Sequence, residues 1–223
     1  MRSVLSILLV STLALCARIA HADGIVEVLQ RSQQARLDSL PAASDATARA
    51  AVVRRSFQNL IDTLGIERPV SMKIISGMTV AETVHGDVVV ANEFLAGLPE
   101  GERLFILAHE LGHVVMGHWG QMGSLFKSYV PGEVTPAVTN AIANDLARDA
   151  SALAHQHEFD ADAFALRTLR RMGCADVHAG SVLARFDSGR DTATHPGTRR
   201  RMGALMAIDR SRPVETAGLE SDR

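Results

Sequence analysis

Apolar positions recur at helical spacing twice in the first part of the chain. Between residues 24 and 40, Ile25, Val28, Leu29 and Leu37 share one side, with Glu27, Arg31 and Arg36 elsewhere. Between residues 46 and 64 the same holds for Val52, Val53, Phe57, Leu60 and Ile61. Residues 41–45 break the pattern, and Gly65 is the kind of residue that ends a helix. The period then shortens. Residues 70–75, 79–84 and 87–91 read as strands, and His85-Gly86-Asp87 is short enough to join the last two as a hairpin. The predicted sheet is small and mostly antiparallel. Its exposed edge could pair with an extended peptide, although a sheet that only covers the core would carry the same pattern.

Residues 92–98 predict a short helix or turn. Pro99-Glu100-Gly101-Glu102 then opens a helix, with acidic residues where the helix dipole favours them. Leu104, Phe105, Ile106, Leu107, Leu111, Val114, Val115 and Met116 surround that helix, so burial is expected on nearly all its faces. Residues 119–136 contain Gly120, Gly123, Pro131, Gly132 and Pro136 and predict a loop, either a surface connection or a lid. Residues 137–172 read as helix with an interruption near 154–156, closed by Gly173, and residues 177–186 as another. Residues 187–194 form a polar loop, His195-Pro196 opens a last helix to about residue 208, and a polar, disordered tail is expected over 209–223. The predicted class is α+β, predominantly helical, in keeping with frequent alanine and only 4% aromatic residues.

Composition narrows the setting. At 223 residues there is room for one domain with a proper core, placed at residues 23–208. Hydrophobic residues at 47% and charged residues at 22% describe an ordinary globular protein. Residues 1–22 read as a secretory signal peptide. Arg2 precedes an apolar run from Val4 to Ala17, and Ala20-His21-Ala22 places small residues before a cleavage site. Leu13-Ala14-Leu15-Cys16 looks like a bacterial lipoprotein box, but Leu15 is too large for its position, so export to the periplasm is expected ahead of lipid anchoring through Cys16. Cleavage removes Arg2 and Arg18, leaving 21 basic and 25 acidic residues, a formal charge of −4 that gives no sign of nucleic-acid binding. One cysteine, Cys174, would remain, which leaves no internal disulfide and is read as a core residue.

Chemistry gathers in the apolar helix, as His109-Glu110-Leu111-Gly112-His113. Residues four apart lie on one helical face, so both imidazoles can aim at one metal ion, with Glu110 beside them to take a proton from water. A catalytic zinc site takes three protein ligands. The extended three-histidine motif would need Gly at position 116 and His at 119, where this chain has Met116 and Trp119. His118 is therefore expected to point away, as a structural or surface residue. The other candidate lies in His157-Glu158-Phe159-Asp160-Ala161-Asp162. Glu158 as third ligand would share a helical face with Asp162, which could hold the outer nitrogen of a ligating histidine. His157 could ligate instead, but that leaves the Glu158 and Asp162 pair unexplained.

With its later Glu-Phe-Asp-Ala-Asp, Thr194-His195-Pro196 and Arg201, this sequence resembles the HtpX-like and CAAX-prenyl-protease family of zinc endopeptidases, over roughly residues 70–205. The resemblance implies a zincin-like domain with the sheet beside the active helix. It implies one zinc ion on His109, His113 and Glu158, Glu110 as general base and Asp162 behind a ligand. His195 is implied to stabilise the transition state or gate the site, and Arg201 to orient nearby carboxylates. Many members span membranes and some carry a helical repeat domain; neither feature follows the signal segment here, so the chain resembles the small envelope members.

The expected activity is zinc-dependent hydrolysis of peptide bonds in envelope quality control. The expected partners are misfolded or unassembled polypeptides, with peripheral membrane association. The rival expectations are an envelope chaperone or assembly factor with a zinc site and little peptidase activity, and a secreted protein with a purely structural zinc.

Overall fold

The structure is a computed structural model that describes residues 24–44, 47–186 and 189–210. The expected signal peptide, the lipoprotein box and the tail beyond Arg210 lie outside the described residues. Helix α1 (Ile25–Ser39) and α2 (Ala48–Leu64) come first, then strands β1 (Ser71–Ile75), β2 (Ala81–Val84) and β3 (Val88–Asn92). After a 3-10 turn at Glu93–Gly97 the chain is helical: α3 (Glu100–Val115), α4 (His118–Tyr129), α5 (Pro136–Arg171), α6 (Val177–Phe186) and α7 (Thr198–Arg210).

Local chemistry sets the boundaries. Thr47 caps α2 by accepting from the Ala50 N–H at 3.0 Å, and Gly65 ends it with φ +65°. Glu100 and Glu102 occupy the first turn of α3, where the helix dipole favours negative charge. The β2–β3 hairpin turns on His85 and Gly86, with φ +55° and +78°, closed by the Asp87 N–H to the Val84 carbonyl at 3.4 Å. Positive φ at both central residues is the type I′ geometry that hairpins prefer.

The sheet order is β1-β3-β2, with β3 antiparallel to β2 and parallel to β1, Ser71 pairing with Val88 and Ile75 with Asn92. It is therefore mixed, not mostly antiparallel. Val89, Val90 and Ala91 of β3 are fully buried, which suits a central strand covered on both faces. Strand patterning predicts that a strand exists but not which neighbour it pairs with. β2 is left at an edge, beside α3.

Helix α3 is the hub, packed against α2, α5, α6 and the sheet. Leu107, Ala108, Leu111 and Val114 are fully buried. Where α3 crosses α5 the helices nearly touch: a Cβ on Gly112 would lie 3.2 Å from Phe164 and 3.3 Å from the Ala161 backbone. That close crossing sets one helical turn of α3 directly against the middle of α5.

Three expectations are corrected. The segment predicted as a loop is mostly α4. Its glycines suggested a loop, yet Trp119, Met122, Leu125, Phe126 and Tyr129 recur at helical spacing and the helix packs on α1 and α5. Helix α5 runs 36 residues without the expected interruption. His118 is not on the surface: it is 4% exposed and stands against His113, outside the group of His109, His113 and Glu158 whose ligand atoms converge. Smaller differences remain: α7 starts at Thr198, beyond His195-Pro196, and Cys174 is only partly buried against the core. No described helix is long and apolar enough to cross a membrane.

Candidate metal centre

His109 and His113 sit one turn apart on α3, with their Nε2 atoms 3.2 Å from each other. From the facing turn of α5, Glu158 brings Oε2 to 3.4 Å from His109 Nε2 and Oε1 to 3.4 Å from His113 Nε2. One ligand atom from each residue falls within 4.8 Å of the others. Two imidazole nitrogens and a carboxylate oxygen form a donor set that suits zinc. A further observation fits a cation here. Oε2 of Glu158 is buried without a hydrogen-bond partner, its positive neighbours His109 Nε2 and Arg201 Nη1 standing off at 3.4 and 3.5 Å, and such a group favours a cation.

The electrostatics agree. Burial disfavours a charged His109, but the Glu158 carboxylate and then Asp162 outweigh it and hold its pKa up to about 10. Burial likewise opposes ionisation of Glu158, and His109 and His113 overcome it, holding its pKa well below the ordinary carboxylate range. The pocket is thus poised for positive charge at the point where the three side chains converge.

Each ligating candidate has a second contact. His109 Nδ1 lies 3.0 Å from Asp162 Oδ1, and Arg201 donates to both oxygens of Asp162, from Nε at 2.7 Å and Nη2 at 2.5 Å. Asp162 is fully buried, and despite that burial Arg201 and His109 keep its pKa low. Arg201 also reaches Glu158, with Nη1 3.5 Å from Oε2. Behind His113 stands His118, Nδ1 to Nδ1 at 2.9 Å. The His118 ring stacks on His157, with centroids 3.9 Å apart and planes 4° from parallel. Burial, then His113 and His157, push the His118 pKa down to about 3, so its ring is neutral. His157, the alternative third ligand, is stacked on His118 with Nε2 3.2 Å from Gln121 Oε1, outside the group whose ligand atoms converge.

Glu110 faces the other way, towards β2, where Thr83 Oγ1 lies 2.9 Å from both its backbone oxygen and Oε2. His195 stands at the rim, with Nε2 3.6 Å from Glu158 Oε1 and a side chain 55% exposed. Its Nδ1 lies 2.8 Å from Thr194 Oγ1.

Two hollows meet over this floor and share His109, Glu110, Glu158 and His195. One, of about 320 Å³, is walled by apolar side chains including Val80, Phe105, Ile106, Val182 and Phe186. The other, of about 500 Å³, is bounded by β2 and by Trp119 and Met122 of α4. Together they make a cleft alongside an edge strand, with a general-base candidate at its centre.

Every site residue singled out in the sequence lies around this cleft or directly behind it. One contributor, Thr83, was missed, and another, His118, was named without its contact to His113. Thr83 falls on the side of β2 that faces α3, a choice of face that alternation alone leaves open. His118 follows Gly117, whose φ of +67° turns the chain back, and a glycine next to that histidine was the available signal. Residues 47–209 match the family model of peptidase family M48, a stretch that adds α2 and residues 206–209 of α7 to the region of resemblance. A search of curated proteins returned no match.

Proposed function

The chain belongs to peptidase family M48, a family of metallopeptidases, and on that premise we propose that it is a zinc-dependent endopeptidase of the bacterial periplasm. The observation that carries the reading is the convergence of His109, His113 and Glu158, whose ligand atoms lie within 4.8 Å of one another and whose Glu158 Oε2 is buried without a hydrogen-bond partner. Zinc bound there would polarise a scissile carbonyl and acidify water. His109, His113 and Glu158 would hold the ion, and Asp162, steadied by Arg201, would keep His109 in one tautomer.

Glu110 accepts the proton of the attacking water and returns it to the leaving amine. Thr83 holds that carboxylate by a hydrogen bond while it is ionised. His195, on the rim, stabilises the transition state or covers the cleft. An extended substrate lies antiparallel to β2, whose free edge borders the cleft, and so runs past Glu110. Misfolded or unassembled envelope polypeptides suit this arrangement, since they offer extended backbone that folded proteins withhold.

The deciding experiment compares native protein with Glu110→Gln, by metal analysis and by cleavage of casein. The expected result is equal zinc content with cleavage reduced by about 10²–10⁴-fold. Undiminished cleavage by the variant rejects the mechanism.

A further inference from the structure

The two histidines of α3 are backed differently. His109 presents Nδ1 to a carboxylate, Asp162, at 3.0 Å. His113 presents Nδ1 to another imidazole, that of His118, at 2.9 Å. A continuous helix would not allow this second contact. Five residues of α-helix turn about 500°, which would point His118 about 140° away from His113. The left-handed Gly117 breaks α3 and starts α4, and the reversal brings His118 in behind its neighbour.

Only one proton fits between two ring nitrogens at that distance. Nε2 of His113 faces His109 and Glu158, where a bound cation needs a bare nitrogen. The His113 proton must then sit on Nδ1 and be donated to His118. Nδ1 of His118 must be bare, so the His118 proton sits on Nε2. The surroundings hold the accepting ring in place. It is 4% exposed and lies flat on His157. The amide of Gln121 donates to the Met116 carbonyl at 2.8 Å, which turns its oxygen towards His157 Nε2 at 3.2 Å. That oxygen can only accept, so His157 donates and its ring is also locked.

We propose that His118 is a positioning residue whose bare Nδ1 accepts the Nδ1–H of His113, fixing the tautomer and orientation in which His113 binds metal. The assignment rests on the metallopeptidase reading. It gives the centre one charged and one neutral backing group. The charge of Asp162 is matched by Arg201, whereas a carboxylate in place of His118 would add an unmatched one.

The test uses the full chain and zinc, with affinity measured by competition against a chromophoric chelator. His118→Leu removes the acceptor, whereas His118→Asn keeps an amide oxygen where Nδ1 was. The Leu variant is expected to bind zinc about 10–100-fold more weakly than native protein, with Asn recovering most of that loss. Circular dichroism melts of the metal-free proteins confirm that both variants fold. Zinc affinity unchanged in the Leu variant, or equally weak in two folded variants, overturns the proposal.

A second measurement needs no mutation. Nitrogen-15 spectra of the zinc-loaded native chain should place the His118 proton on Nε2 and the His113 proton on Nδ1. A His118 proton on Nδ1 overturns the assignment. A native chain that takes up no zinc at all overturns the metallopeptidase reading and this inference with it.

Discussion

Arg201 of α7 grips Asp162 of α5 through two hydrogen bonds, Nε to Oδ2 at 2.7 Å and Nη2 to Oδ1 at 2.5 Å. Both side chains are buried, and Asp162 passes the constraint on to His109. Replacing Arg201 with Ala leaves a buried carboxylate with His109 as its remaining cationic neighbour among the contacts named above. The expected loss is about 3–5 kcal/mol of folding stability, read from urea denaturation of the metal-free chain. Arg201→Lys should recover little, because an ammonium cannot span both oxygens. A lysine variant with native stability would show that the fork geometry is unimportant.

Thr83 offers a milder test of how Glu110 is held. Thr83→Val keeps the shape of β2 and removes the hydroxyl 2.9 Å from the Glu110 carboxylate. Zinc affinity should stay native while kcat for a peptide substrate drops by about 10-fold, the scale of one hydrogen bond to a charged group. Weakened zinc binding in this variant would contradict a role confined to Glu110.

Gly112 sets how closely α3 and α5 approach, since a Cβ there would meet Phe164 and the Ala161 backbone at 3.2–3.3 Å. Gly112→Val should therefore destabilise the fold by about 1–3 kcal/mol through overpacking, measured as a shift in denaturation midpoint. It should also weaken zinc binding, because it pushes Glu158 away from the histidines. Native metal affinity in the Val variant would mean the two helices can part without disturbing the centre.

Acid should destabilise the metal-free chain in a definite window. Burial, then His113 and His157, depress the His118 pKa to about 3, and burial with His113 lowers that of His157. Their stabilisation is full above the unfolded value of about 6.5 and is lost as pH falls through it. Glu158 and Asp162, also depressed, lose theirs only below their ordinary values of 4.5 and 3.8. His109, held up to about 10, behaves oppositely: its contribution is complete below about 6.5 and is lost towards alkaline pH. Between pH 6 and 5 the neutral histidines dominate. The denaturant midpoint should fall over that interval, and His118→Asn should flatten the slope.

Much of this molecule is legible in its sequence because buried polar residues are informative. Two histidines and a glutamate in an otherwise apolar helix demand partners, and the Glu158 and Asp162 pair in another apolar stretch supplies them. Spacing alone puts each pair on one face. What spacing cannot supply is the way separate elements meet. Alternation left the partner of β1 open, so the parallel pairing with β3 went unseen. Glycines at 120 and 123 argued for a loop, although tertiary packing on α1 and α5 holds α4 as a helix. The contact of His118 with His113 escaped because it depends on the backbone reversal at Gly117, and a motif comparison tests only residues at fixed helical offsets.

The order in which the site residues occur has a consequence for timing. The centre draws on α3, α5 and α7, whose contributing residues run from His109 to Arg201. Synthesis proceeds from the N-terminus, so the two histidines and Glu110 exist well before Glu158, and Arg201 comes last. A half-made chain holds two imidazoles with no carboxylate opposite, and one extended further carries Asp162 without its counter-ion. Under the proposed activity, hydrolytic competence would arrive only when the final helix docks. The growing chain and whatever handles it during synthesis would meet no working blade.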